Sequence, residues 1–235
     1  MKQGPVLYEG KAKIVSQGET GRLIHYFKDS ATAFNAQKKA EFPGKGALNL
    51  AISEVVFKAL TAAQIPHHFI QRLDERSFES MSLQMIPAEV VVRNRVAGSL
   101  AQRLQEPEGA LLSIPVVEFF LKNDAKGDPL VSEDILVAFY AQRQEDLQEC
   151  RRLSLAVNQA VRPLFAAAQL ELVDFKLEFG RDDEGRLFVA DEFSPDTCRL
   201  WDVSTGEKFD KDRFRRDQGD LLEGYREVLK RLSQQ

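Results

Sequence analysis

From Leu172 to Gly180 apolar and charged residues alternate without a break. Val173, Phe175, Leu177 and Phe179 interleave with Asp174, Lys176 and Glu178. An extended chain sends successive side chains to opposite faces, so the pattern predicts a strand with one apolar face and one acid–base–acid face. Such a strand is either the solvated face of an antiparallel sheet or one wall of a site. A turn signal at Asp183 to Gly185 and a second strand-like run from Leu187 to Phe193 predict a hairpin. A two-residue loop at Asp183-Glu184 or Glu184-Gly185 brings Asp191 onto the face of Asp174, Lys176 and Glu178. The second of these sets Asp191 opposite Glu178, whereas a three-residue loop sends it to the other face. Carboxylates gathered on one face repel each other unless a cation intervenes. Oxygen-only ligands suit Mg²⁺, which usually takes one or two carboxylates together with substrate phosphates.

Further strand-like runs cover Leu7, Lys11 to Val15, Leu23 to Phe27, His67 to Leu73, Leu83 to Ile86 and Glu89 to Val96. Helical spacing appears in Leu48, Ala51, Ile52, Val55, Val56, Ala59 and Leu60, predicting a helix from Ala47 to Ile65 before Pro66. A second helix is predicted from Gln144 to Ala168, with Pro163 kinking or breaking it. A third begins near Asp210-Lys211 and runs to Leu232, weakened locally by Gly219 and Gly224. Strands first, then helices mixed with a hairpin, predict an α+β fold.

The chain has 235 residues, 43% hydrophobic and 29% charged, which fits one large domain or two intimate subdomains with a full core. A net charge of −4 gives no electrostatic case for nucleic acid or a membrane surface. No apolar run approaches the ~20 residues that span a bilayer, and the N-terminus lacks the apolar core of a signal peptide. Cys150 and Cys198 are isolated, which fits a reducing cytosol and excludes a disulfide scaffold or zinc cluster.

Several short stretches carry further chemistry. Lys11 and Lys13 share a strand face just after Gly10; they suit a phosphate, or guard an edge strand. Pro43 to Gly46 is no phosphate-binding loop, because Lys39 stands where its first glycine is required and Gly46 replaces the hydroxyl residue. Arg93 and Arg95 share a face and need an anion, either a bound phosphate or carboxylate or an internal Asp or Glu. Lys122, Asp124 and Asp128 stand in a polar loop, and Asp196, Arg199 and Trp201 follow Asp191, the tryptophan suggesting a formed pocket. His25, His67 and His68 show no metal spacing, and the adjacent pair points to opposite faces. Lysines and arginines for phosphates, with carboxylates for Mg²⁺, make the profile of phosphoryl transfer.

These residues resemble the SAICAR synthetase family over nearly the whole chain. The resemblance rests on Leu7 to Lys13, Met85 to Ser99, Leu121 to Asp124, Leu172 to Gly180, Asp191 to Asp196, Arg199 to Asp202 and Asp210 to Arg215. Ala88 and the pair Thr197-Cys198 depart from the family pattern, and neither touches the charged set. The resemblance implies an antiparallel N-terminal lobe, residues 1–87, packed on a larger mixed C-terminal lobe, residues 88–235, with ATP between them. It implies a cytoplasmic homodimer that joins L-aspartate to 5-amino-1-(5-phosphoribosyl)imidazole-4-carboxylate through an acyl phosphate, using ATP and Mg²⁺. Lys11, Ala12 and Lys13 would hold the ATP phosphates, with Lys122 close by and Met85 to Glu89 lining the adenine slot. Glu178 and Asp191 would bind Mg²⁺, with Asp174 supporting a second ion. Arg93, Ser99 and Arg199 would grip the ribotide phosphate, with Lys176 and Asp128 near the imidazole. Lys176, Glu178 and Asp191 form the expected catalytic set, and Asp196 with the loop from Asp29 to Lys45 the expected aspartate pocket. The competing readings are a kinase-like phosphotransferase or other carboxylate ligase, and a nucleotide sensor without turnover.

Overall fold

The computed structural model describes residues 4–33 and 38–234. Its elements are β1 (Val6–Glu9), β2 (Lys13–Gln17), β3 (Arg22–Phe27), β4 (Ser30–Ala33), β5 (Lys38–Glu41), α1 (Lys45–Ala62), β6 (Phe69–Arg72) and β7 (Ser77–Met81). They continue with β8 (Gln84–Arg95), α2 (Gly98–Leu104), β9 (Leu111–Leu121), β10 (Leu130–Val131), α3 (Glu133–Tyr140) and α4 (Gln144–Ala167). The last are β11 (Leu170–Arg181), β12 (Leu187–Ala190), β13 (Cys198–Asp202), α5 (Asp212–Arg216) and α6 (Leu221–Leu232). One sheet runs β1-β2-β3-β7-β6; a second runs β10-β9-β8-β11-β12, with β13 also on β11; β4 and β5 pair alone. All these pairings are antiparallel. None of the described helices is long and apolar enough to cross a membrane.

The second sheet behaves as its alternation predicts. Val173, Phe175, Leu177 and Phe179 of β11 are buried, as are Ile86, Ala88, Val90 and Val92 of β8. The predicted apolar stripe of α4, from Leu147 through Val157 to Phe165, joins the core beneath this face. The opposite face carries the charges, and the register sets Asp174 against Arg93 and Glu178 against Glu89.

Three local features differ from the pattern. The runs Leu83 to Ile86 and Glu89 to Val96 are joined in the single strand β8, and a boundary after residue 87 falls inside it. Across β11 the partners step from Glu89 to Met85 while β11 advances only from Glu178 to Gly180. Pro87 therefore lies in a bulge, where its missing N–H costs no ladder bond. Helix α4 continues past Pro163 to Ala167. The expected last helix is instead two, because Asp217 at φ 53 and Gly219 at φ 87 interrupt it.

His68 ties the first sheet to the site. It is buried, packs edge-on against Phe78 at 5.5 Å, and donates through Nε2 to the carbonyl of Asp191 at 2.8 Å. Burial pulls its pKa from 6.5 to about 4. A histidine neutral when folded but free to charge when unfolded adds stability above pH 6.5 that is lost as pH falls toward 4. His68→Gln keeps a donor for Asp191 and does not titrate. It should therefore remove about 2 kcal/mol of the stability lost between pH 7 and 5. Urea midpoints at the two pH values check this, and equal pH dependence in both proteins would refute it.

Candidate active site

The residues expected to bind nucleotide, metal and ribotide, together with Asp196, border one cavity of about 1130 Å³ between the two large sheets. Of the expected aspartate loop from Asp29 to Lys45, Thr32 borders it among the described residues, and residues 34–37 lie outside the described residues. The centre of the cavity is Lys176 on β11. The ammonium lies 2.9 Å from Glu178 Oε1, 2.9 Å from Asp191 Oδ2 and 3.2 Å from Glu89 Oε1. Lys122 approaches Glu178 Oε2 at 2.5 Å, and Lys13 bonds Asp191 Oδ1. Lys11 stands further out, 2.8 Å from Asp124 Oδ1. Met85 borders the same cavity from the bulged part of β8, and Ala12 from the turn before β2. Asp128, at φ 47, accepts from the Asn123 N–H at 2.7 Å and shapes the loop below Lys122.

Asp191 reaches this cluster by a different route from the one the hairpin length predicts. Arg181 pairs with Leu187 and Glu178 with Ala190, so partner numbers add to an even 368 and the loop is the three residues Asp183 to Gly185. Gly185 closes it at φ 79, a left-handed position that costs glycine little. In that register a straight strand would point Asp191 away from Glu178. Instead β12 ends at Ala190, and Asp191 adopts φ 66. The turn swings its carboxylate back onto Lys176 and Lys13, and the bond from His68 holds its carbonyl in place. Left-handed backbone is uncommon at any residue but glycine and is tolerated best by Asp and Asn.

The cluster is strongly coupled in charge. Burial would raise the Asp191 carboxyl, but Lys13 and Lys176 overcome it and hold it well below the usual carboxylate range. Burial would lower the Lys176 ammonium, but Asp191, Glu178 and Glu89 hold it well above the usual lysine range. Glu178 is likewise lowered, against burial, by Lys176 and then Lys122. Glu192 goes the other way: burial raises it, and its Oε2 has no hydrogen-bond partner among the described residues. Lys13, Lys122 and Lys176 thus face Glu89, Glu178, Asp191 and Glu192. Three positive charges against four negative ones cannot by themselves attract a polyphosphate. A divalent cation on Glu178 and Asp191 reverses that sign, and the donors are all oxygen, as Mg²⁺ prefers. The ammonium of Lys176 already bridges these two carboxylates, so their oxygens point at a common cation position. Among the described residues, no group of three or more His, Cys, Asp or Glu side chains forms a complete metal cage.

A second, arginine-rich group borders the cavity beyond Asp174. Arg93 is buried, with Nε 2.6 Å from Glu118 Oε2, one terminal nitrogen 2.9 Å from Asp174 Oδ2 and the other 3.0 Å from Ser99 Oγ. Arg199 approaches the same Asp174 oxygen at 2.7 Å and Asp212 at 3.0 Å. Asp174 is therefore enclosed by two guanidiniums. A Cβ on Gly98 would stand 2.4 Å from the Arg199 guanidinium, so only glycine lets α2 begin this close. Arg95 turns away, pairing with Glu171 at 3.1 Å and the Gly109 carbonyl at 3.0 Å. Trp201 lies outside the cavity too, under Lys208 at 5.4 Å. Glu118, which braces Arg93, carries no sequence signal. Lys45, the last residue of the loop expected to form the aspartate pocket, is instead fully buried against Asp196 at 2.5 Å and does not line the cavity.

Comparison with known proteins agrees with this geometry. A family profile described as SAICAR synthetase matches residues 6–232. The phosphoribosylaminoimidazole-succinocarboxamide synthase of Hyphomonas neptunium is 52% identical over 99% of this chain and 92% of its own. The crystal structure of the Ehrlichia chaffeensis synthase superposes with a TM-score of 0.95 at 43% identity, covering 97% of this chain and 98% of that one. A SAICAR synthetase solved in complex with ADP gives 0.94 at 44% identity, covering 97% of both chains. The fold, the extent of these matches and the charged cavity lead to one conclusion: the chain belongs to the SAICAR synthetase family, ligases of purine biosynthesis.

Proposed function

We propose that the chain joins L-aspartate to 5-amino-1-(5-phosphoribosyl)imidazole-4-carboxylate, with ATP converted to ADP and phosphate. The carrying observation is that one cavity unites the Lys176 cluster with the arginines around Asp174. A carboxylate resists attack by an amine until one oxygen becomes a leaving group. The γ-phosphoryl group passes to that oxygen, giving an acyl phosphate and ADP. The aspartate amine then attacks the carbonyl carbon, phosphate leaves, and the nitrogen gives up a proton as the amide forms.

Positioning and charge neutralisation carry most of such a transfer. Lys11 and Lys13, with the backbone at Ala12, hold the nucleotide phosphates, and Lys122 stands across from them. Met85 to Glu89 lines the adenine slot between the two sheets. Mg²⁺, when bound by Glu178 and Asp191, neutralises β- and γ-phosphate charge. Lys176 orients the imidazole carboxylate, with Asp128 nearby, and Arg93, Ser99 and Arg199 grip the ribotide phosphate. For the arginines this means exchanging one carboxylate partner for the incoming phosphate. Asp174, held between them, keeps both guanidiniums aimed at one point.

ADP release measured with Mg²⁺ and ATP, omitting the ribotide or L-aspartate in turn, tests the reading. Release should require both; release without either, or none with both, would overturn it. Arg93→Lys keeps the charge and loses the planar fork, so the ribotide KM should rise roughly tenfold with the ATP KM unchanged. An unchanged ribotide KM would leave Arg93 as a partner of Glu118 and Asp174 only.

A further inference from the structure

One corner of the cavity, past Asp196 and Thr197, is bordered by Lys211 and Arg215. Arg215 N–H donates to the Lys211 carbonyl at 3.0 Å, so the two residues sit one turn apart and their side chains share a face. Each cation is only partly compensated among the described residues, because the carboxylate it meets is shared with other cations. Lys211 Nζ makes no hydrogen bond among the described residues, and its nearest carboxylate oxygen, Asp196 Oδ1, is 3.9 Å away. That carboxylate is already engaged by Lys45 at 2.5 Å, Tyr225 at 2.7 Å and Asn49 at 2.9 Å. Among the described residues the Arg215 guanidinium makes one hydrogen bond, to Asp212 Oδ1 at 2.5 Å, and Asp212 is shared with Arg199 and Arg216. Burial lowers the Lys211 pKa, the mark of an ammonium short of compensating charge.

The corner adjoins the reacting centre. The Lys176 N–H donates to the Thr197 carbonyl at 2.8 Å, so a single turn of chain links the Lys176 cluster to Lys211. The phosphates of the other two substrates already have their cations, in the lysine cluster and the Asp174 arginines. The anions still without partners are the two carboxylates of the amino acid. We infer that Lys211 and Arg215 form the carboxylate-binding subsite for L-aspartate, holding it so that its amine faces the activated carboxyl beside Lys176. The inference rests on the ligase reading above. A lysine point charge and an arginine fork one helical turn apart fit a short dicarboxylate, and they leave the uncharged amine free of cationic contacts.

Steady-state kinetics with each substrate varied separately test it. Lys211→Ala should raise the aspartate KM roughly 10- to 100-fold, the effect of losing one charge-assisted contact. The ATP and ribotide KM values should stay within about twofold, and Lys211→Arg should recover most of the loss. Arg215→Gln, at a side chain 32% exposed, should raise the same KM and carries the test even if Lys211→Ala fails to fold. An unchanged aspartate KM in both Arg215→Gln and Lys211→Ala, or a rise in the ribotide KM instead, overturns the subsite. ADP release independent of aspartate in the unsubstituted protein overturns the ligase reading itself, so the two failures are distinct.

Discussion

Glu178→Gln should lower the rate of aspartate-dependent ADP formation by roughly 10³-fold while the protein stays folded. The substitution preserves shape and removes one negative charge from a cluster built around it. Glu178 is buried, with Lys122 at 2.5 Å and Lys176 at 2.9 Å. Lys176 retains Glu89 and Asp191 as partners, and Lys122, 44% exposed, can turn to solvent, so no buried cation is left isolated. What disappears is one of the two carboxylates that can offset polyphosphate charge through Mg²⁺, and the lysines cannot replace it. Turnover in the variant should rise with Mg²⁺ concentration well beyond the level that saturates the unsubstituted protein. Thermal unfolding run beside the kinetics separates site from scaffold. Turnover within a few-fold of normal would remove Glu178 from any metal role.

The sequence made the faces of β11 legible because strand periodicity is strict: one apolar and one charged residue in turn can fold only one way against a core. The same periodicity places Asp191 on the right face by the wrong route. Parity arguments assume that a strand continues, and here a left-handed residue ends it. Nothing in Leu187 to Phe193 marks that turn; only the bond from His68, a residue more than a hundred positions away, shows what holds it. The same limit explains β8, where Pro87 reads as a break but lies in a bulge whose partner strand is remote in sequence. Strand β9 has Pro115 and no clean alternation, so its pattern does not announce it.

Charge pairs were legible as types and not as partners. Arg93 and Arg95 look equivalent two residues apart, yet the neighbouring strands give one the cavity and the other Glu171. Sequence shows that an arginine needs an anion; only the sheet order shows which anion it meets. The ammonium of Lys45 is the extreme case. It belongs to a glycine-rich loop that suggests exposure, and it is entirely buried at the start of α1.

That burial makes Asp196→Asn the most destabilising substitution expected at the cavity wall. The Asp196 side chain is 3% exposed; Lys45 forms an ion pair with it, and Asn49 and Tyr225 donate hydrogen bonds to it. Burial would raise its carboxyl, but Lys211 and Lys45 overcome this and keep it ionised at all ordinary pH. Removing its charge takes from the buried Lys45 ammonium its direct ion-pair partner, leaving the more distant Glu192, a change that costs about 3–5 kcal/mol. For a chain of this size the melting temperature should fall by roughly 10 °C. The charge and not the shape is at issue, so adding Lys45→Met should restore much of the loss. A role in binding substrate makes the opposite forecast: an unchanged melting temperature, a large rise in the aspartate KM and no rescue by Lys45→Met. Thermal denaturation of the two single variants and the double variant therefore decides whether Asp196 serves the scaffold beneath the aspartate corner or the corner itself.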